Sequence, residues 1–130
     1  DEGVLSQLLL KLPKDYDLVI FDIPSTLTPA LGAGISAADQ ILVPVSQSLH
    51  SLRGLIQLRK ITNKPITAIG IGEVNYEELT PVLDVAILRS DEVEIAASSD
   101  LSVLTLSKSS EVSESYRSAA YSVLEILGLE

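Results

Sequence analysis

Apolar residues along this chain fall into short blocks separated by polar and proline-containing stretches, and the blocks have two different periods. Val4, Leu5, Leu8, Leu9 and Leu12 recur at the spacing of one helical face, and Pro13 closes that segment. Leu18-Val19-Ile20-Phe21 is a continuous apolar run, the pattern of a strand buried on both faces. Pro24, Pro29, Gly32 and Gly34 mark an irregular region with a short helix around 30–38. Ile41 to Val45 reads as a second strand, and 51–61 as a helix through Leu52, Leu55 and Ile56. Ile66 to Ile71 reads as a third strand and Val82 to Leu88 as a fourth. A helix over 91–98 carries Asp91 and Glu94 at capping-box spacing. Leu101 to Leu106 reads as a short edge strand. The segment 110–127 is the most clearly patterned helix, with Val112, Tyr116, Ala119, Ala120, Val123 and Leu127 on one stripe.

Helices alternating with strands that lack inside–outside alternation predict an α/β fold, a parallel sheet flanked by helices on both faces. With no repeat, low-complexity tract or linker, residues 1–130 read as a single domain. Composition then narrows the chemistry. Cysteine is absent, which excludes disulfides, thiolate catalysis and cysteine-ligated zinc. The one histidine, His50, excludes a multi-histidine metal site and leaves little room for a Ser-His-Asp triad. No apolar run approaches a bilayer span, and the last helix lacks a basic face. A transmembrane segment and a membrane-targeting helix are therefore not expected, and a cytoplasmic location is. Residues 1–64 carry six basic and six acidic side chains, whereas 65–130 carry three basic and twelve acidic, for a net charge of −9. Such a surface repels phosphate backbones, so nucleic-acid binding through this acidic segment is disfavoured. Methionine is missing even at position 1, from which we expect a processed or truncated piece of a longer protein.

Ligands of parallel α/β sheets bind outside the carboxyl ends of strands. Asp22 stands there, directly after Leu18–Phe21 and before Ile23-Pro24-Ser25-Thr26. A carboxylate at a strand tip, beside hydroxyls and a proline-stiffened turn, suits magnesium held through water. Capping the following turn is an equally ordinary task for an aspartate, and from this residue alone both readings stand.

Residues 16–58 resemble the ParA/MinD family of P-loop ATPases. The resemblance is carried by Tyr16-Asp17-Leu18-Val19-Ile20-Phe21-Asp22-Ile23-Pro24-Ser25, by Ala37-Ala38-Asp39-Gln40 turning into Ile41-Leu42-Val43-Pro44-Val45, and by Leu52-Arg53-Gly54-Leu55-Ile56-Gln57-Leu58. Beyond residue 58 the likeness is one of outline. It implies a P-loop NTPase-like α/β fold and ATP with magnesium as cofactors. It also implies a homodimer or a partner protein, and a role in partitioning, cell division or spatial positioning. Asp22 matches the Walker B aspartate that holds magnesium through a water, and Pro24 and Ser25 fall in the switch segment that senses the γ-phosphate. No catalytic residue is carried over.

The chain departs from the family in specific places. No Gly-rich loop ends in Gly-Lys-Ser or Gly-Lys-Thr, and Gly70-x-Gly72 is not followed by such a pair. The family's P-loop strand is thus expected to be missing, and ATP is expected to bind this chain poorly or not at all. Gly72-Glu73-Val74 stands where the family often has an asparagine with a basic residue, and Ile87-Leu88-Arg89 where it usually has Ile-Pro. Three functions compete: the carboxyl-terminal part of a ParA/MinD-like ATPase, a non-enzymatic relative that localises a machine by protein contacts, and a receiver domain phosphorylated at Asp22. The last lacks the acidic pair after an earlier strand. In the family the missing strand lies between those matching 17–21 and 40–45. Its slot must be filled by a partner segment, closed by the neighbouring strands, or left at a cost in stability.

The remaining polar residues read as structural. His50 is expected at the surface or as a cap, and Arg53, Arg59 and Lys60 as one solvated helix side. Glu73, Glu77, Glu78 and Asp84 read as solvent-facing acids, and Lys108 among Ser107, Ser109 and Ser110 as part of a turn.

Overall fold

The computed structural model describes residues 2–75, 79 and 81–129. The elements run α1 (Glu2–Lys11), α2 (Pro29–Ala37), β1 (Ile41–Ser46), α3 (Leu49–Ile61), β2 (Ile66–Ile71), α4 (Asp91–Ser98), α5 (Val103–Leu106) and α6 (Glu111–Ile126). β1 and β2 pair in parallel from Ile41 opposite Ile66 to Ser46 opposite Ile71, joined by α3 as the crossover. The fold is mixed α/β with a parallel sheet, as the alternation of patterns predicts.

The core forms where α3 lies on this pair. Val45, Leu55, Ile66, Ala68 and Leu79 are buried together, and Ile41, Val43, Leu52, Leu58, Val74 and Val82 pack around them. Three consecutive residues of β2, Ile66, Thr67 and Ala68, are buried, so both of its faces are covered. β1 is different. Val45 is buried, whereas Leu42 and Pro44 on the opposite face are exposed. The expected absence of inside–outside alternation therefore holds for β2 and fails for β1. Proline suits that position, because a residue without an N–H is tolerated in a strand with an unpaired edge.

The strand expected over 82–88 runs beside β2 without completing a ladder. It touches β2 at two isolated parallel bridges, Ala68 with Val82 and Ile71 with Ile87. Ala68 N–H donates to the Pro81 carbonyl at 3.0 Å, Leu83 N–H to Ala68 at 2.9 Å, and Ile87 N–H to Gly70 at 2.8 Å. Between the bridges the outer segment advances five residues while β2 advances three, so Asp84, Val85 and Ala86 bulge away and pairing lapses.

Two sequence expectations are overturned. Leu18–Phe21 forms no strand, and it is not buried. Ile20 is 81 % exposed. A strand exists only against a neighbour, and residues 16–27 make no hydrogen bond to another described residue. The segment 101–106 is likewise no edge strand. Ser102 accepts a hydrogen bond from Leu104 N–H and starts the one-turn α5, which buries Val103 against Ala96 and Val112. α1 forms as expected, yet Val4, Leu8 and Leu12 of its apolar stripe remain exposed.

Serines cap the later helices. Ser90, not Asp91, caps α4 by accepting from Glu92 N–H at 3.2 Å. Ser110 caps α6 through Ser113 N–H, also at 3.2 Å. Ser113 itself is fully buried, within hydrogen-bond reach of the carbonyls of Val103 at 3.0 Å and Ser107 at 2.7 Å. The turn around Lys108 is built from these contacts and from Arg117, which donates to the Lys108 carbonyl at 2.6 Å.

Candidate functional site

The parallel pair presents its carboxyl ends on one side of the molecule, and a cleft of about 460 Å³ opens there. Its walls are the loop Ser46-Gln47-Ser48 after β1, Leu49 and Leu52 of α3, and Val74 and Asn75 after β2. Ser48 caps α3 by accepting from Ser51 N–H at 3.2 Å, and its hydroxyl donates to that of Ser51 at 3.1 Å. The Ser46 and Ser51 hydroxyls lie 3.1 Å apart. No acidic residue occupies the first turn of α3, so the positive end of its dipole faces this loop unopposed. A serine at position 48, directly ahead of the helical face of Leu52 and Leu55, is the local signal for this cap. His50 is exposed on the same turn, as expected, but does not cap it.

A second cleft, of about 480 Å³, opens at the amino ends of the strands between Gln40, Arg59, Lys64 and Pro81. Its polar groups are tied into the fold. The Gln40 amide donates to the Thr67 hydroxyl at 3.0 Å, and Arg59 donates to the Leu79 carbonyl at 3.1 Å. Arg59 is thereby half-buried, which corrects the expectation of a solvated side, while Arg53 and Lys60 are exposed as expected. Lys64 donates to the Ser36 and Ala38 carbonyls at 3.2 and 2.9 Å.

Asp22, Pro24 and Ser25 are exposed and line neither cleft. They follow the unpaired run 18–21, so Asp22 is not at the tip of a formed strand. Between Asp22 and Pro24, Ile23 is half-buried and rests on α2 at Gly34. Among the described residues no three His, Cys, Asp or Glu side chains gather as a metal site. Glu77 and Glu78 of the acidic loop lie outside the described residues. A single exposed carboxylate does fit magnesium that arrives with a nucleotide. That ion keeps several waters and takes only one or two protein carboxylates, the phosphates supplying the rest. Asp22 could serve as such a carboxylate, and polarisation of phosphate oxygens is the chemistry the ion would supply.

Past the carboxyl end of β2, Gly72 has φ +75° and Arg89 lies across it. A side-chain carbon at Gly72 would stand 3.2 Å from Arg89 Cδ. Gly72 N–H also donates to the Ile87 carbonyl at 2.8 Å, so the ends of the two segments are laced together at the site.

A protein-family model described as an AAA domain matches residues 1–70, more than half of the chain. The chain belongs to this family, a P-loop NTPase family related to ParA and MinD whose members bind nucleotide with magnesium. The match spans Asp22, β1, α3 and most of β2. Comparison with curated proteins and with solved structures gave no match. No helix among the described residues is long and apolar enough to cross a membrane.

Proposed function

We propose that this chain is the carboxyl-terminal part of a ParA/MinD-type ATPase used in partitioning or spatial positioning, and that it contributes the Walker B and switch segments. Asp22 holds magnesium through a water, Pro24 and Ser25 respond to the γ-phosphate, and the P-loop comes from a segment outside these residues. The observation that carries the reading is the state of residues 18–21. An apolar run ending in an exposed carboxylate has no strand partner, in a sheet whose β1 also has an open edge. Pairing with β2 uses the backbone groups of Ile41, Val43 and Val45, which leaves those of Leu42 and Pro44 facing the other way. One added strand would give both segments a neighbour. Family membership over residues 1–70 supports the P-loop ATPase part of this reading. The active unit is a homodimer or a complex with a partner protein, and the acidic second half disfavours nucleic acid as a direct ligand.

The test is magnesium-dependent ATP turnover by the full-length gene product with Asp22→Asn beside the parent. The proposal expects turnover in the parent and a loss of at least about a hundredfold in the variant. Equal turnover in both would overturn it.

A second reading, a non-enzymatic relative acting through protein contacts, is favoured by one observation. Arg89 covers Gly72 where the family receives the base, and no asparagine–basic pair follows β2 directly. A full-length product that lacks a lysine-bearing Gly-rich loop and binds no ATP would favour it.

A further inference from the structure

Residues 16–27 make no hydrogen bond to the rest of the described chain, yet Ile23 is half-buried while Asp22 and Pro24 on either side are exposed. What receives Ile23 is a glycine. A carbon added at Gly34, in the middle of α2, would stand 2.9 Å from Ile23 Cγ1 and 3.0 Å from Cδ1, closer than such atoms approach. Gly34 is buried although α2 is a surface helix, and its φ is not in the left-handed region, so backbone freedom is not what the position requires. What it requires is room. The helix that carries the notch is itself fixed, because Lys64 holds its last carbonyls to the start of β2.

We propose that Ile23 is the positioning residue for the Asp22 carboxylate and that the notch at Gly34 is its seat. Asp22 and Pro24 are exposed on either side of the half-buried Ile23, so seating the Ile23 side chain on α2 leaves Asp22 facing outward and limits how far its carboxylate can move from the protein body. Asp22 and Ile23 lie beyond the run 18–21 and make no hydrogen bond to another described residue, so this contact is what orients the carboxylate. The inference rests on the reading of Asp22 as the magnesium-holding carboxylate. It adds which contact places that carboxylate, and it predicts coupling between two residues that bind nothing themselves.

Two measurements test it. The chain has no cysteine, so Ser25→Cys provides a single spin-label site on the segment. In residues 1–130 the label is expected to be restricted in the parent and mobile in Ile23→Ala and in Gly34→Ala. Ile23→Ala with Gly34→Ala together should be no worse than either alone, because both remove one contact. Ile23→Val should stay close to the parent. In the full-length gene product, without the label, Ile23→Ala should weaken ATP binding in magnesium roughly tenfold, the scale for residues that orient metal ligands, and leave binding without magnesium unchanged. Unchanged label mobility in both single variants would overturn the inference. So would equal losses with and without magnesium, which mark a merely structural role. Asp22→Asn in the same titration separates the two claims. If it leaves magnesium dependence intact, the reading of Asp22 falls. If it abolishes that dependence while Ile23→Ala does nothing, only the positioning role falls.

Discussion

The Lys64 ammonium lies 2.9 Å from the Ala38 carbonyl and 3.2 Å from that of Ser36, and so closes the end of α2 from outside the helix. α2 has no basic residue in its own last turn, and Lys64 supplies both the missing donor and the charge that its dipole favours there. Through this contact the segment ahead of β1 is joined to the loop ahead of β2. Lys64→Met should lower stability by roughly 1 kcal/mol, since it removes a charged donor but leaves carbonyls that water can partly reach. Lys64→Arg should recover part of the loss. Thermal unfolding of the three proteins checks both statements.

Ser113 has the corresponding place in the second half. Its hydroxyl is fully buried, with the Val103 and Ser107 carbonyls as acceptors, and it accepts in turn from the Ser110 hydroxyl. Ser113→Ala removes these bonds from a buried position, while Ser107 N–H still donates to the Val103 carbonyl and Ser110 still donates to that of Ser107, so the expected cost is about 1 kcal/mol. Urea denaturation would measure it. Ser122→Ala, farther along α6, is the control and should change stability by less than about 0.5 kcal/mol.

Ile20 tests the unpaired run. At 81 % exposure, Ile20→Lys should leave the stability of residues 1–130 within about 0.5 kcal/mol of the parent. In the full-length gene product, where we propose that 18–21 pairs as a strand and is covered, the same change puts an ammonium into the sheet. It should then cost several kcal/mol or prevent folding. Equal and small effects in both proteins would mean that the run stays exposed in the longer chain.

Periodicity marks the longer helices and the two paired strands because each of those signals is local. A helix shows its face within a dozen residues, and α6 needs only its own stripe and Ser110 to be recognised. The failures are places where the outcome depends on a distant neighbour. Leu18–Phe21 has the composition of a buried strand, but nothing in those four residues says whether a partner strand is present. The segment over 82–88 lacks a full ladder because two extra residues intervene between its bridges, a mismatch that appears only once β2 lies beside it. Leu101–Leu106 has the composition of an edge strand, and the hydroxyl of Ser102 instead starts a helical turn. The order of motifs singles out Asp22 as a candidate. The seat of Ile23 on Gly34 is invisible in the sequence, since a glycine that makes room for an isoleucine eleven residues earlier has no local signature.

We propose that this chain carries the magnesium-binding side of a nucleotide site and that the phosphate cradle lies outside it. Calorimetric titration with ATP in magnesium tests it most directly, run on residues 1–130 and on the full-length gene product. No measurable binding is expected for the first and micromolar or tighter binding for the second, lost with Asp22→Asn. Micromolar affinity for residues 1–130 alone would contradict it.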